Sequence, residues 1–432
     1  MAAKYVIVGN SAGGIGGAET IRQLDREGEI TIVSDEPFPA YSRPMIAKYV
    51  AGETTLEHML YRPASFYEKN RVELITGVAA TRLDPAGKTL ALADGREVPW
   101  DKLLLATGGT PFVPRMEGLN REGVCTFTTL ADAQRLAGYV AGARRAVVIG
   151  GGLIGLSVAE ALVKRQLAVT IVELKDRILN VMLDEEGSRL ADAAVRRAGV
   201  EVLTGRTVAS VVGRPQNGGA VVSVFLDNGR EVPCDLLVVA IGVVPRVELA
   251  REAGLAVKRG IAVDERMATS AADIYACGDA VEAYDFALGA ARPTPIWPNA
   301  YIGGRTAGFN MAGRPATYPG GTACNSLNYF GLSLVSAGLV DPPGDGYAVL
   351  TRAEPERGLY RKIIMKDGRL VGMVYVGPID RAGIAFGLMR EGVRVDGFAD
   401  QLIADDFGLI SLPHELRKAR LEGRSNGKHA QP

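Results

Sequence analysis

Two stretches of this 432-residue chain put glycines where a backbone could hold phosphate. The first reads Val6-Ile7-Val8-Gly9-Asn10-Ser11-Ala12-Gly13-Gly14, and the second Val147-Val148-Ile149-Gly150-Gly151-Gly152-Leu153-Ile154-Gly155. Each passes from an apolar strand through a glycine turn into an amphipathic helix. That arrangement aims backbone N–H groups and a helix N-terminus at a pyrophosphate. In the second stretch the G-x-G-x-x-G spacing is intact. Gly150 allows the tight turn, Gly152 the approach of the phosphate, and Gly155 the close packing of helix on strand. In the first, Ser11 replaces the middle glycine while Gly9 and Gly14 hold. One such motif implies a dinucleotide. Two imply a pair, and the chemistry that brings two dinucleotides together is hydride transfer.

Each cradle also needs an acid to read a ribose. Glu173 closes an apolar strand after the second motif, where a carboxylate binds the adenosine diol and repels a 2′-phosphate. No arginine follows it immediately, so NADH is expected rather than NADPH. In the first unit the candidates are Asp35 and Glu36, just after Ile30-Thr31-Ile32-Val33. Glu36 has the competing reading of a turn residue before Pro37.

The elements that must position these residues follow one grammar used twice. The first unit predicts a strand, a helix over 18–26, a strand over 29–33, a helical segment over 56–69 and short alternating strands. Asp94-Gly95 marks a hairpin turn. Leu103 to Leu105 then run as a buried strand into Ala106-Thr107-Gly108. The second unit restarts at Arg145 with a helix over 156–165, a strand over 168–173, a helix over 185–198, a hairpin near 214–219 and a strand over 236–241 ending at Gly242. The two units read as an internal duplication of one doubly wound fold. The fold class expected is α/β, with two Rossmann-like dinucleotide-binding domains and a C-terminal α+β domain. The expected boundaries are 1–112 and 245–318 for the first domain, 113–244 for the second, 319–415 for the C-terminal domain and 416–432 for a disordered polar tail.

Composition narrows the classes. Lys and Arg number 49 against 49 Asp and Glu, which favours neither nucleic acid nor an anionic membrane. No targeting segment precedes the first strand and no apolar run reaches membrane length, so a cytoplasmic address without membrane insertion is expected. Cys125, Cys234, Cys277 and Cys324 are scattered without metal-ligand spacing, so no metal site is expected. His58, His414 and His429 read as surface residues.

In order along the chain, residues 9–14, Ala106-Thr107-Gly108, residues 150–155 and Cys277-Gly278-Asp279 resemble the FAD-dependent pyridine nucleotide–disulfide oxidoreductases. That resemblance extends to about residue 415. It implies FAD in the first fold, NAD(P)H in the second, and Asp279 accepting a hydrogen bond from the ribityl chain. Helix N-capping is the structural alternative for Asp279. The paired or single redox cysteine of the disulfide-reducing branches is missing. Where one branch has its single cysteine, the chain reads Tyr41-Ser42-Arg43-Pro44-Met45-Ile46-Ala47-Lys48. This string is similar to rubredoxin and ferredoxin reductases and the flavin domain of assimilatory nitrite reductases. The resemblance gives Arg43 a place at the cofactor and Lys48 a role in stabilising the reduced ring. It also implies that the helix beginning at Trp297-Pro298-Asn299-Ala300 points its N-terminus at the flavin. Stretches 361–364, 366–372 and 404–408 resemble FAD subunits of phenylglyoxylate dehydrogenase and tungsten aldehyde oxidoreductase complexes. The function expected is therefore an NADH:acceptor oxidoreductase using FAD and NADH. An iron–sulfur or other redox protein is its partner, within a hetero-oligomer and with flux possible in either direction. Two alternatives stand beside it: a stand-alone NADH oxidase or disulfide reductase-like enzyme, and a non-enzymatic flavoprotein of assembly or signalling.

Overall fold

The computed structural model describes residues 2–214 and 219–422. It separates into two compact units, 1–112 with 243–322, and 113–242 with 323–432.

The first unit is built on a five-stranded parallel sheet. Its order is Ile274–Ala276, Lys102–Leu105, Lys4–Val8, Glu29–Ser34 and Val72–Thr76. The strands are near-continuous apolar runs because both faces are covered, one by helices and the other largely by the antiparallel strands of 80–99, and Val6, Ile7, Ile32 and Leu103 to Leu105 are buried. The sequence passes from Val8 straight into the helix Ala12–Leu24, whose glycines take no side-chain space. That helix lies against Trp297–Met311, a second glycine-rich helix. Their axes come so close that a Cβ on Gly304 would sit 2.0 Å from the carbonyl oxygen of Gly13, and one on Gly308 2.7 Å from that of Gly17.

The nucleotide half of the second unit repeats this plan. Its parallel sheet runs Glu201–Thr204, Ala168–Glu173, Arg145–Ile149, Leu236–Val239 and Val124–Thr126. In each sheet the fingerprint strand is central, where a doubly wound fold opens its ligand crevice. Each also carries a three-stranded antiparallel excursion, over 80–99 and 208–233. The edge strands come from different places in the chain, 274–276 after the second fold and 124–126 before it.

The remainder of the second unit is a five-stranded antiparallel sheet, ordered Cys324–Tyr329, Leu332–Gly338, Arg369–Val376, Leu359–Lys366 and Tyr347–Glu354. The helix Ala382–Arg390 packs on it, and Lys366-Asp367-Gly368 forms its central hairpin.

Several local expectations need correction. The segment 56–69 is not one helix but two four-residue turns, Leu56–Met59 and Phe66–Lys69, because Pro63 cannot continue the hydrogen-bond ladder. Asp279 is not an N-cap. It lies inside the 3-10 turn Gly278–Ala280, whose capping residue is Cys277. The turn of the 214–219 hairpin and the tail beyond 422, with His429, lie largely or wholly outside the described residues. Among the described residues no helix is long and apolar enough to cross a membrane.

Candidate functional site: two nucleotide cradles

Both fingerprint turns rest on the same backbone device. Gly9 and Gly150 have φ of +117° and +106°, a region hostile to side chains, and each N–H is bonded to the neighbouring strand, at Val33 and Val172. A Cβ at Gly9 would lie 2.1 Å from the carbonyl oxygen of Ala106, and one at Gly150 2.4 Å from that of Ala240. Each helix then starts from an extended residue, Ser11 or Gly152, with no side-chain cap. Their first N–H groups are therefore available to an anion. Around Gly152 no atom lies within 4 Å of where a Cβ would stand, leaving space for a pyrophosphate. Gly14 and Gly155 pack against Gly9 and Gly150, and Gly13 lies under Cys277. Ile154 occupies the first turn of the second helix.

The acids differ between the cradles. The carboxylate of Glu173 is buried and accepts the N–H of Gly151 at 2.6 Å and of Lys175 at 2.8 Å. It is thus held at the mouth of the glycine turn. The strand end beside it brings Arg206, whose N–H bonds to the Glu173 carbonyl. Lys175 and Arg206 are both exposed. Sequence reading missed Arg206, because only the pairing of Glu173 with Thr204 brings it near. Gly242, with φ +119°, follows the strand Leu236–Val239.

In the first unit, strand pairing puts Ser34 at the place Glu173 holds in the second, since Gly9 bonds Val33 as Gly150 bonds Val172. Asp35 comes one residue later, half exposed and ion-paired with Arg246 at 2.7 Å. Arg246, another residue missed in the sequence, also accepts the Thr107 hydroxyl at 2.7 Å and donates its N–H to Gly108. Glu36 is engaged by the Tyr41 hydroxyl at 2.7 Å and by Arg43, which makes it a clamp on the following turn. Asn10 ties the fingerprint to 38–40 through the carbonyl of Phe38 and the Tyr67 hydroxyl.

Asp279 lines a cleft of about 490 Å³ with Val243, Val247, Arg251, Pro293 and Pro295. Among the described residues its carboxylate has no hydrogen-bond partner. Burial pushes its pKa up, and the charge of Arg43 opposes that shift. A desolvated, unpartnered carboxylate is a strong acceptor for a hydroxyl donor. Trp297 opens its helix and packs edge-on against Tyr61, with ring centroids 4.8 Å apart. Lys48 is exposed on the helix Ile46–Ala51, and no partner for it occurs among the described residues.

Residues 3–301 match the family described as pyridine nucleotide-disulphide oxidoreductase. The chain belongs to that family. It is an NAD(P)H oxidoreductase, and residues 324–392 match the C-terminal domain of rubredoxin NAD+ reductases. It is 35% identical over 405 residues to the epsilon subunit of an NADH-dependent phenylglyoxylate dehydrogenase from Aromatoleum evansii, covering 93% of this chain and 95% of the relative. It is 34% identical over 285 residues to a rubredoxin-NAD(+) reductase of Pseudomonas putida, covering 66% and 73%. Among solved structures, an NAD-dependent persulfide reductase from A. fulgidus superposes with a TM-score of 0.86 at 29% identity, covering 97% and 84%.

The disulphide in the family's name has no counterpart in this oxidoreductase's thiols. Burial raises the pKa of all four, pushing Cys234 and Cys277 up to about 12. Reactive cysteines need the opposite shift.

Proposed function

We propose that this oxidoreductase is a FAD-dependent NADH:acceptor reductase that passes electrons to a separate iron–sulfur or other redox protein, as the flavin subunit of a cytoplasmic hetero-oligomer. The observation that carries the reading is two nucleotide cradles in a chain whose every thiol is held protonated. Input chemistry is provided for twice, and the usual internal output is missing.

The first cradle fits FAD. The uncapped helix at Ser11 suits the pyrophosphate, and Asp279 is ready to accept a hydroxyl of the polyol chain. Arg43, fixed by Glu36, keeps positive potential near Asp279. The helix beginning at Trp297 adds its positive end, and Lys48 offers a mobile ammonium to a negatively charged ring. The second cradle fits NADH, with Gly150, Gly152 and Gly155 at the pyrophosphate and Glu173 at the ribose diol. A flavin held in the first cradle would supply the acceptor for hydride from NADH and a one-electron outlet. The chain's part is to bind and orient, which needs no acid or base. The relatives named for rubredoxin reduction and for a dehydrogenase subunit support an external acceptor, and the direction of flux can follow the potentials of the partners.

Anaerobic titration of the purified flavoprotein with NADH tests the input. The flavin absorbance should bleach stoichiometrically, and an unchanged spectrum would sink the proposal. Native purification from the source organism tests the output, since an iron–sulfur protein should copurify.

A further inference from the structure

The antiparallel sheet of the second unit touches its nucleotide half at one unusual place. The hairpin joining Cys324–Tyr329 to Leu332–Gly338 turns at Phe330 and Gly331, with φ of +50° and +80°. A two-residue hairpin with both φ positive is a type I′ turn, which favours Asn-Gly. A bulky Phe in the left-handed region is an outlier that its surroundings must enforce.

That conformation brings the tip within hydrogen-bond distance of one face of the helix Leu153–Lys164 at three points. The Tyr329 hydroxyl lies 3.1 Å from the Leu153 carbonyl and 2.6 Å from the Ser157 hydroxyl, while the N–H of Phe330 donates to Glu160 at 3.1 Å. Ser157 itself donates to the Leu153 carbonyl at 2.9 Å. Residues 153, 157 and 160 share a face by helical spacing. Leu153 is the first helical residue after Gly152, so its peptide belongs to the turn whose N–H groups face the pyrophosphate.

We infer that this hairpin tip is a clamp that sets the first turn of the second cradle, and that Tyr329 is a positioning residue for NADH. The inference rests on the reading of that cradle as the NADH site. With one proton each, the Ser157 and Tyr329 hydroxyls form a bonded pair anchored on the Leu153 carbonyl, which fixes the tilt of its peptide, and backbone dipoles aimed at a ligand work best when they need no reorganisation. The bonds that make the clamp all lie within the second unit. Its loss therefore weakens nucleotide binding without altering flavin content.

The test uses the flavin-loaded full chain as wild type, Tyr329→Phe and Phe330→Gly. NADH affinity is read by fluorescence quenching, and dye reduction gives KM and kcat. Tyr329→Phe should weaken NADH about threefold to tenfold, the effect of one lost neutral hydrogen bond or slightly more. KM should rise with kcat at saturation unchanged, and flavin content and melting temperature should stay near wild type. Phe330→Gly relaxes the turn but keeps the N–H and the Tyr329 hydroxyl, so it should weaken NADH less than Tyr329→Phe, and an equal or larger loss would take the effect away from the hydroxyl. Unchanged NADH affinity in Tyr329→Phe overturns the clamp, as does a loss of NADH and flavin binding together. Failure of the wild type to bind NADH is a different result, which overturns the site reading itself.

Discussion

At the scale of single residues, the proposed specificity rests on two carboxylates. Glu173 holds two backbone N–H groups, yet Lys175 and Arg206 flank it without an ion pair among the described residues, Arg206 donating only to the Gly205 carbonyl. Replacing Glu173 by Ala removes the repulsion of a 2′-phosphate and leaves two cations in place. The ratio of kcat/KM for NADH over NADPH should fall about tenfold or more. An unchanged ratio would remove Glu173 from the ribose site. Asp279 is the other case. Burial raises its pKa above the ordinary 3.8, so the folded protein favours the protonated form. Stability attributable to this group is therefore full below the ordinary value and falls as pH rises through the raised one. A hydroxyl donated by the flavin offsets that cost, so FAD retention should strengthen as pH climbs through the same window. Asp279→Asn should retain FAD about tenfold less tightly and lose this pH dependence, measured by flavin fluorescence after dilution.

At the scale of elements, the decisive packing is helix on helix in the first unit. Gly13, Gly16 and Gly17 face Tyr301, Gly304 and Gly308 with no room for side chains. This close crossing brings the helix that begins at Trp297 alongside the one that begins at Ser11. Gly304→Val should push the two apart at a cost of about 3 kcal/mol, near the upper range for overpacking. Purified protein should be colourless and melt several degrees lower, whereas retained flavin would show that the crossing tolerates bulk. Of these glycines, only Gly13 had a reading in the sequence, as part of the fingerprint turn. That they mark a contact depends on two segments nearly 300 residues apart, which no local pattern reveals. The hairpin at Phe330 is similar, since a Phe in a left-handed turn leaves no sequence signal.

At the scale of the whole molecule, the question is where electrons leave. Cys125, Cys234 and Cys277 are buried, and burial holds every thiol in its neutral form near neutral pH. Iodoacetamide at pH 8 should leave these three unlabelled in the native protein and label them in urea, read by mass spectrometry. Dye reduction by NADH should survive the treatment. Rapid native labelling of Cys277, with loss of activity, would return the chain to thiol chemistry and remove the need for an external acceptor.

The sequence by itself determined what depends on short-range chemistry. Both glycine turns, the strand ending in Glu173 and the duplicated fold could be read from residue type and spacing, because phosphate cradles are built from consecutive residues, and the missing redox cysteine from the family resemblance. Only the tertiary structure decided the rest. It engaged Glu36 with Arg43 and Tyr41, set Ser34 rather than Asp35 at the position matching Glu173, took Asp279 out of a capping role, and brought Arg246 to Asp35, Arg206 to Glu173 and Tyr329 to Leu153. Each of these depends on strand register or on contacts between distant segments. Such contacts are settled by the packing of whole sheets and helices rather than by any window of sequence.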